Sequence, residues 1–173
     1  MKVTALRRTY YIAIPILVLS LSAACSSGRG ARGGEPEEIV IGIIDFEVEN
    51  MNLTQARAVT DRFLYYLGRK EGLRVIDRRQ MEAVLEEQGF RVTRPCSTDD
   101  CISQVGHILG AAMMVAGKVE RAGDFYHLEA RLVSVAGGRM VNHAYSDVRG
   151  IEDLMLSGIE SVVDDLVADI IRN

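Results

Sequence analysis

Tryptophan is absent from the 173 residues, and proline and cysteine occur three times each. Collagen-like, low-complexity and disulfide-dense classes are therefore excluded. Aromatic residues make up only 6%. No Gly-x-Ser-x-Gly elbow, Walker loop or His-Glu-x-x-His motif occurs, so the common sequence signatures of hydrolases, nucleotide-binding proteins and zinc proteases are missing. Acidic residues are missing from the first 24 positions, which carry Lys2, Arg7 and Arg8. What is present is the balance of a globular chain, 48% hydrophobic and 25% charged, with the length of one ordinary domain.

Residues 1–24 read as a bacterial secretory signal. The basic start is followed by an apolar stretch from Tyr10 to Leu21, then by Ser22-Ala23-Ala24 and Cys25. The apolar run is short for a membrane span and contains Pro15. Cys25 after small residues looks like the lipidated cysteine of a bacterial lipoprotein. Leu21 stands four residues before it, where the usual lipobox has leucine three before, and Ser-Ala-Ala also suits ordinary signal peptidase. Acyl chains on Cys25 would anchor the chain to the outer membrane, with Ser26 favouring that sorting over retention at the inner membrane. Cleavage removes three of the 20 basic residues and none of the 24 acidic ones, leaving a net charge of −7. Such a domain is a poor match for nucleic acid or for a polybasic membrane contact.

The Gly-rich stretch 26–38, SSGRGARGGEPEE, reads as a flexible tether. It has no strand before it and no helix after it, so it is not a phosphate loop. Cys96 and Cys101, with the four residues Ser-Thr-Asp-Asp between them and in an oxidising compartment, are expected to form a disulfide. Free thiols, or a metal site with His107, are the alternatives, and the metal site would lack a fourth ligand.

From residue 39 onward the pattern alternates. Residues 38–48 read as one buried strand, and 53–67 has a helical apolar period, capped by Asn52 or Thr54 and ended at Gly68 or Gly72. A short strand follows at 73–76. Asp77 to Gln80 resembles a capping box before a helix that Gly89 stops, and a third helix spans 101–109, capped by Asp99 or Asp100. Strands at 112–121, 125–135 and 139–148 are joined by Gly123-Asp124 and Gly137-Gly138. The segment 151–171 is an amphipathic helix. The expected fold is α/β (α+β): one mixed five-stranded sheet packed by helices, in the order β-α-β-α-α-β-β-β-α, over a domain at 39–173.

Candidate chemistry is sparse. Asp45, at the end of the first strand, stands where α/β sheets place ligands. With Glu47 or Asp77 it could serve acid–base or ligand-binding work. If Gly138 is the left-handed residue of a three-residue loop, Arg131 faces His143 and His127 faces Asp147. Those read as solvated sheet positions. No catalytic residue, cofactor site or metal site is expected.

The blocks IVIGIIDFE (39–47), LTQARAVTDRFLYYL (53–67), VIDRRQMEAVLEEQGF (75–90), CSTDDCISQVGHILGA (96–111), MVAGKV (114–119) and YHLEARLVSVAGGRMV (126–141) together resemble the periplasmic domain of the curli assembly and transport lipoprotein family (CsgG-like). Related folds occur in the TolB N-terminal domain and in the penicillin-binding-protein activator lipoprotein LpoB. The resemblance implies a non-enzymatic envelope lipoprotein that acts through protein partners in assembly or secretion, with homo-oligomers among its forms. An activator of a peptidoglycan synthase is the alternative. A membrane-crossing hairpin needs about 20 residues, and the longest unassigned connection past the tether, 90–100, has 11. Pore-forming insertions are therefore not expected.

Overall fold

The computed structural model describes residues 38–90 and 96–172. The signal segment, Cys25 and the tether up to residue 37 lie outside the described residues. One mixed sheet organises the domain, with strand order β3-β1-β4-β5-β6 and β2 paired to β4. The strands are β1 (Ile39–Ile43), β2 (Glu47–Glu49), β3 (Leu73–Val75), β4 (Met113–Ala122), β5 (Phe125–Ser134) and β6 (Arg139–Arg149). The helices are α1 (Leu53–Leu67), α2 (Arg78–Glu87), α3 (Asp99–Leu109) and α4, which spans 151–167. β1 runs parallel to both β3 and β4, while β4, β5 and β6 form an antiparallel meander. The expected fold class is present.

The first strand departs from its expected form. It breaks at Ile44-Asp45-Phe46 into β1 and β2, so the sheet has six strands and not five. Ile43 lies opposite Val115 and Glu47 opposite Lys118, so four steps on one side match three on the other. The extra residue is Asp45. It shifts the alternation, so Ile41, Ile43 and then Phe46 all enter the same core while Asp45 faces solvent. Two features hold the break. The Phe46 N–H donates to the buried Thr60 hydroxyl at 3.3 Å, and that hydroxyl donates to Ala56 O at 3.2 Å. The Phe46 ring lies over Gly117, where a Cβ would stand 3.0 Å from the ring and 2.5 Å from Glu129 O. A continuous apolar run masks such a slip because every residue in it suits a buried strand.

The core has two layers. α1 and α4 cover one face with Phe63, Leu67, Ile159 and Leu166 against Ile41, Val115, Leu128 and Leu132. α2 and α3 cover part of the other face with Leu85, Ile102 and Val105 against Ile44, Met114 and Val133. Asn52 caps α1 in a box with Gln55, and Gly68 ends it. Asp77 caps α2 by accepting from the Arg79 N–H at 2.9 Å, a single bond without the expected reciprocal one from Gln80. α3 starts two residues earlier than expected. Thr98 accepts from the Cys101 N–H, which puts Asp99 and Asp100 in the first turn, where the helix dipole favours acids.

α4 is not one regular helix to 171. It comprises Ile151–Asp153, a π-turn at Leu154–Gly158 and Ile159–Val167. The buried positions explain the π-turn, because Leu154 and Ile159, five apart, must reach the same core. Arg62 Nε donates to Met155 O and the Tyr66 hydroxyl to Leu156 O, both at 3.1 Å, which supplies partners to carbonyls of this turn.

Candidate protein interface

α2 and α3 leave half of their sheet face uncovered. Side chains on one face of a strand recur every second residue, so β4 contributes Lys118 and Glu120, β5 His127, Glu129 and Arg131, and β6 His143, Tyr145 and Asp147. β2 adds Glu47 and Glu49 beside Lys118 and Glu120. The same positions on the other face are Val119, Leu128, Ala130 and Ala144, all in the core. One strand set thus builds a sealed core on one side and a polar surface on the other.

The surface is tied together by charge. Lys118 Nζ lies 2.5 Å from Glu49 and 3.5 Å from Glu120. The Glu49 hydrogen bond, helped by the charges of Glu49 and Glu120, holds the Lys118 pKa above the ordinary lysine value against the opposing effect of desolvation. A raised lysine pKa means that this tie is fully present below the ordinary value and is lost as pH climbs through the raised one. His127 Nδ1 lies 2.8 Å from Asp147 Oδ1, and His143 Nε2 lies 3.5 Å from Glu129. The Tyr145 ring centroid is 6.2 Å from each of the two imidazoles. Five carboxylates, Glu47, Glu49, Glu120, Glu129 and Asp147, face two fixed cations, Lys118 and Arg131, so the face is acidic. Tyr145 is exposed on its β6 margin.

The Cys96–Cys101 segment borders this face. The two Cα atoms are 5.5 Å apart and the sulfurs meet. Arg131 donates to Ser97 O, and Asp99 Oδ2 accepts from the Met140 N–H at 3.0 Å, which docks the start of α3 onto β5 and β6. A cleft of about 150 Å³ lies at this border, lined by Asp45, Glu47, Ser97, Lys118, Glu129 and Arg131. A larger hollow of about 600 Å³ lies by α2, lined by Ile44, Met81, Leu85, Phe90 and Val105.

The acid–base candidates are engaged elsewhere. Asp45 receives both terminal nitrogens of Arg78, at 2.5 and 3.1 Å, and Asp77 caps α2. His107 is exposed in the last turn of α3. Among the described residues, no group of three His, Cys, Asp or Glu is placed to hold a metal ion, and no helix is long and apolar enough to cross a membrane. The facing pairs His127–Asp147 and Arg131–His143 are as expected, but the loop is not. Ser134 pairs with Arg139, so four residues form the turn, and a bulge at Val141 restores the register. The exposed Tyr145 was not singled out from the sequence. Its signal was an aromatic residue on the polar parity of a strand.

No family model matches the chain, and no curated protein does. Solved structures do. The LpoB C-terminal domain from Escherichia coli superposes with a TM-score of 0.56 at 15% identity, covering 66% of this chain and 85% of that one. The fold is LpoB-like. The LpoB C-terminal domain from Salmonella enterica gives 0.54 at 13% identity, over 68% of this chain and 87% of that one. Lipoprotein GNA1162 from Neisseria meningitidis gives 0.54 at 16% identity, over 78% and 99%. These likenesses support the LpoB side of the sequence resemblance and give no support to its curli-channel side.

Proposed function

We propose that this protein is a non-enzymatic envelope lipoprotein that works by protein–protein contact, with the open half of its sheet as the docking surface. The observation that carries this reading is that uncovered face: charged, with Arg131 within it and an exposed Tyr145 at its β6 margin, and built on paired strands. Tyrosine and arginine are the residues that most often anchor interfaces. In this reading Cys25 carries the acyl chains, the signal at 1–24 is removed, and the domain faces the periplasm from the outer membrane. Cys96 and Cys101 form a disulfide that fixes the border of the surface.

The LpoB likeness favours regulation of a peptidoglycan synthase over a role in secretion. A 13-residue tether spans at most about 45 Å when extended, so the synthase domain it touches must lie close to the outer membrane. The test is a glycan-polymerisation assay with the purified full chain and a synthase from the same envelope. A several-fold rise in rate that saturates with added lipoprotein supports the reading. An unchanged rate, with no complex by light scattering, removes it.

A further inference from the structure

Among the described residues, β6 is an edge strand of 11 residues with a strand neighbour on one side only. Edges of this length are normally guarded against pairing. Here the guards that act on the main chain are confined to the first half. The bulge falls at Val141, Asp99 takes the Met140 N–H, and Asn142 Oδ1 takes the His143 N–H at 2.8 Å. The second half, 144–149, carries the charges of Asp147 and Arg149 but no lysine, proline or bulge, and its main chain has no side-chain acceptor among the described residues.

The direction of the free groups follows from the ladder. Gly150 donates its N–H towards β5, to Asp124 O at 2.8 Å, whereas the His143 N–H is held by its neighbouring side chain. Main-chain groups alternate along an antiparallel strand, so residues 143, 145, 147 and 149 present theirs outward. We propose that this edge pairs with the same edge of a second copy of the chain, antiparallel, with the two-fold axis at Tyr145.

Charge selects that register. With Tyr145 opposite Tyr145, His143 of each copy lies opposite Asp147 of the other, and small Ala144 lies opposite Ser146. Sliding one strand by four residues sets Asp147 against Asp147 or His143 against His143. The registers between these set Arg139 against Arg149, or His143 against Arg149. Like charges directly opposite each other are unfavourable, which applies to the Asp147 and Arg139–Arg149 pairs as they stand and to the pairs through His143 when the imidazole is protonated. The joined sheets carry both acidic faces on the same side, which doubles the docking surface. Pairing at His143 exchanges the Asn142 contact for a main-chain carbonyl, while Asn142 Nδ2 keeps its bonds to Asp165 O and Leu166 O.

The test is cross-linking of the full chain in its own membranes, which reads self-association and needs no synthase. Tyr145→Cys places two thiols in a hydrogen-bonded pair with Cα atoms about 5.5 Å apart, within disulfide reach. Oxidation is expected to give a covalent dimer, absent from the wild type and from Phe125→Cys, a comparably exposed site. Adding Asp147→Lys should cut the dimer yield by about fivefold, and adding His143→Asp as well should restore it. A folded Tyr145→Cys chain that stays monomeric, or equal cross-linking through Phe125→Cys, overturns the proposal. Failure of the double charge swap to restore the dimer overturns the register.

Discussion

Asp147 faces His127 across the β5–β6 ladder, with its Oδ1 2.8 Å from the imidazole Nδ1. The carboxylate fixes the ring, and Nε2 is left 3.9 Å from Glu129. Both partners are solvent-facing, so the pair orders the surface more than it stabilises the fold. His127→Gln should cost no more than about 0.5–1 kcal/mol, read from the urea midpoint at constant m. A loss of several kcal/mol would mean that this surface is part of the core.

The core itself is on the other face. Phe63 is fully buried, with its ring edge-on to Phe46 at 5.0 Å between centroids. Phe63→Ala should cost about 3–5 kcal/mol. Urea unfolding followed by circular dichroism measures it, and a cost under about 1 kcal/mol would contradict the packing described.

Thr60 holds the break between β1 and β2. Thr60→Val keeps the shape and leaves the Phe46 N–H without its acceptor, so the expected loss is about 1–3 kcal/mol. Gly117→Ala attacks the same place from the opposite strand, since its Cβ would stand 2.5 Å from Glu129 O. A cost of about 1–3 kcal/mol is expected from overpacking. If both variants melt like the wild type, the phase shift at Asp45 is wrong.

These two positions also show why the sequence was only partly legible. The bounds of helix α1, 53–67, could be read from its apolar period, and the structure selects Asn52 over Thr54 as its cap and Gly68 over Gly72 as its end. The π-turn left a trace in the five-residue step from Leu154 to Ile159, but a lone irregular spacing inside an amphipathic pattern does not stand out. The slip at Asp45 left none, because Ile43, Ile44 and Phe46 are apolar whichever face they take. The His127–Asp147 facing was predicted from a three-residue loop, whereas a four-residue loop and the Val141 bulge produce it together. The candidate surface was legible as a list of polar strand positions. That they form one open face depends on where α2 and α3 stop, which no local pattern records.

Cys96 and Cys101 close a short loop, with a sequence separation of five. Loop-closure entropy for such a ring is about 2 kcal/mol. Protein taken from the periplasm without reductant should resist alkylation at both cysteines, and Cys96→Ser with Cys101→Ser should lower stability by about that amount. Quantitative alkylation of both before reduction would show free thiols instead.

The account's central claim is that partners bind the open half of the sheet. Photo-cross-linking amino acids placed in living cells at Lys118 and Glu129, in the middle of that face, test it most directly, with Arg57 on the exposed side of α1 as the comparison. The account predicts adducts to one envelope protein from Lys118 and Glu129, identified by mass spectrometry, and none from Arg57. Adducts from Arg57 alone, with Lys118 and Glu129 silent in a folded protein, would contradict it.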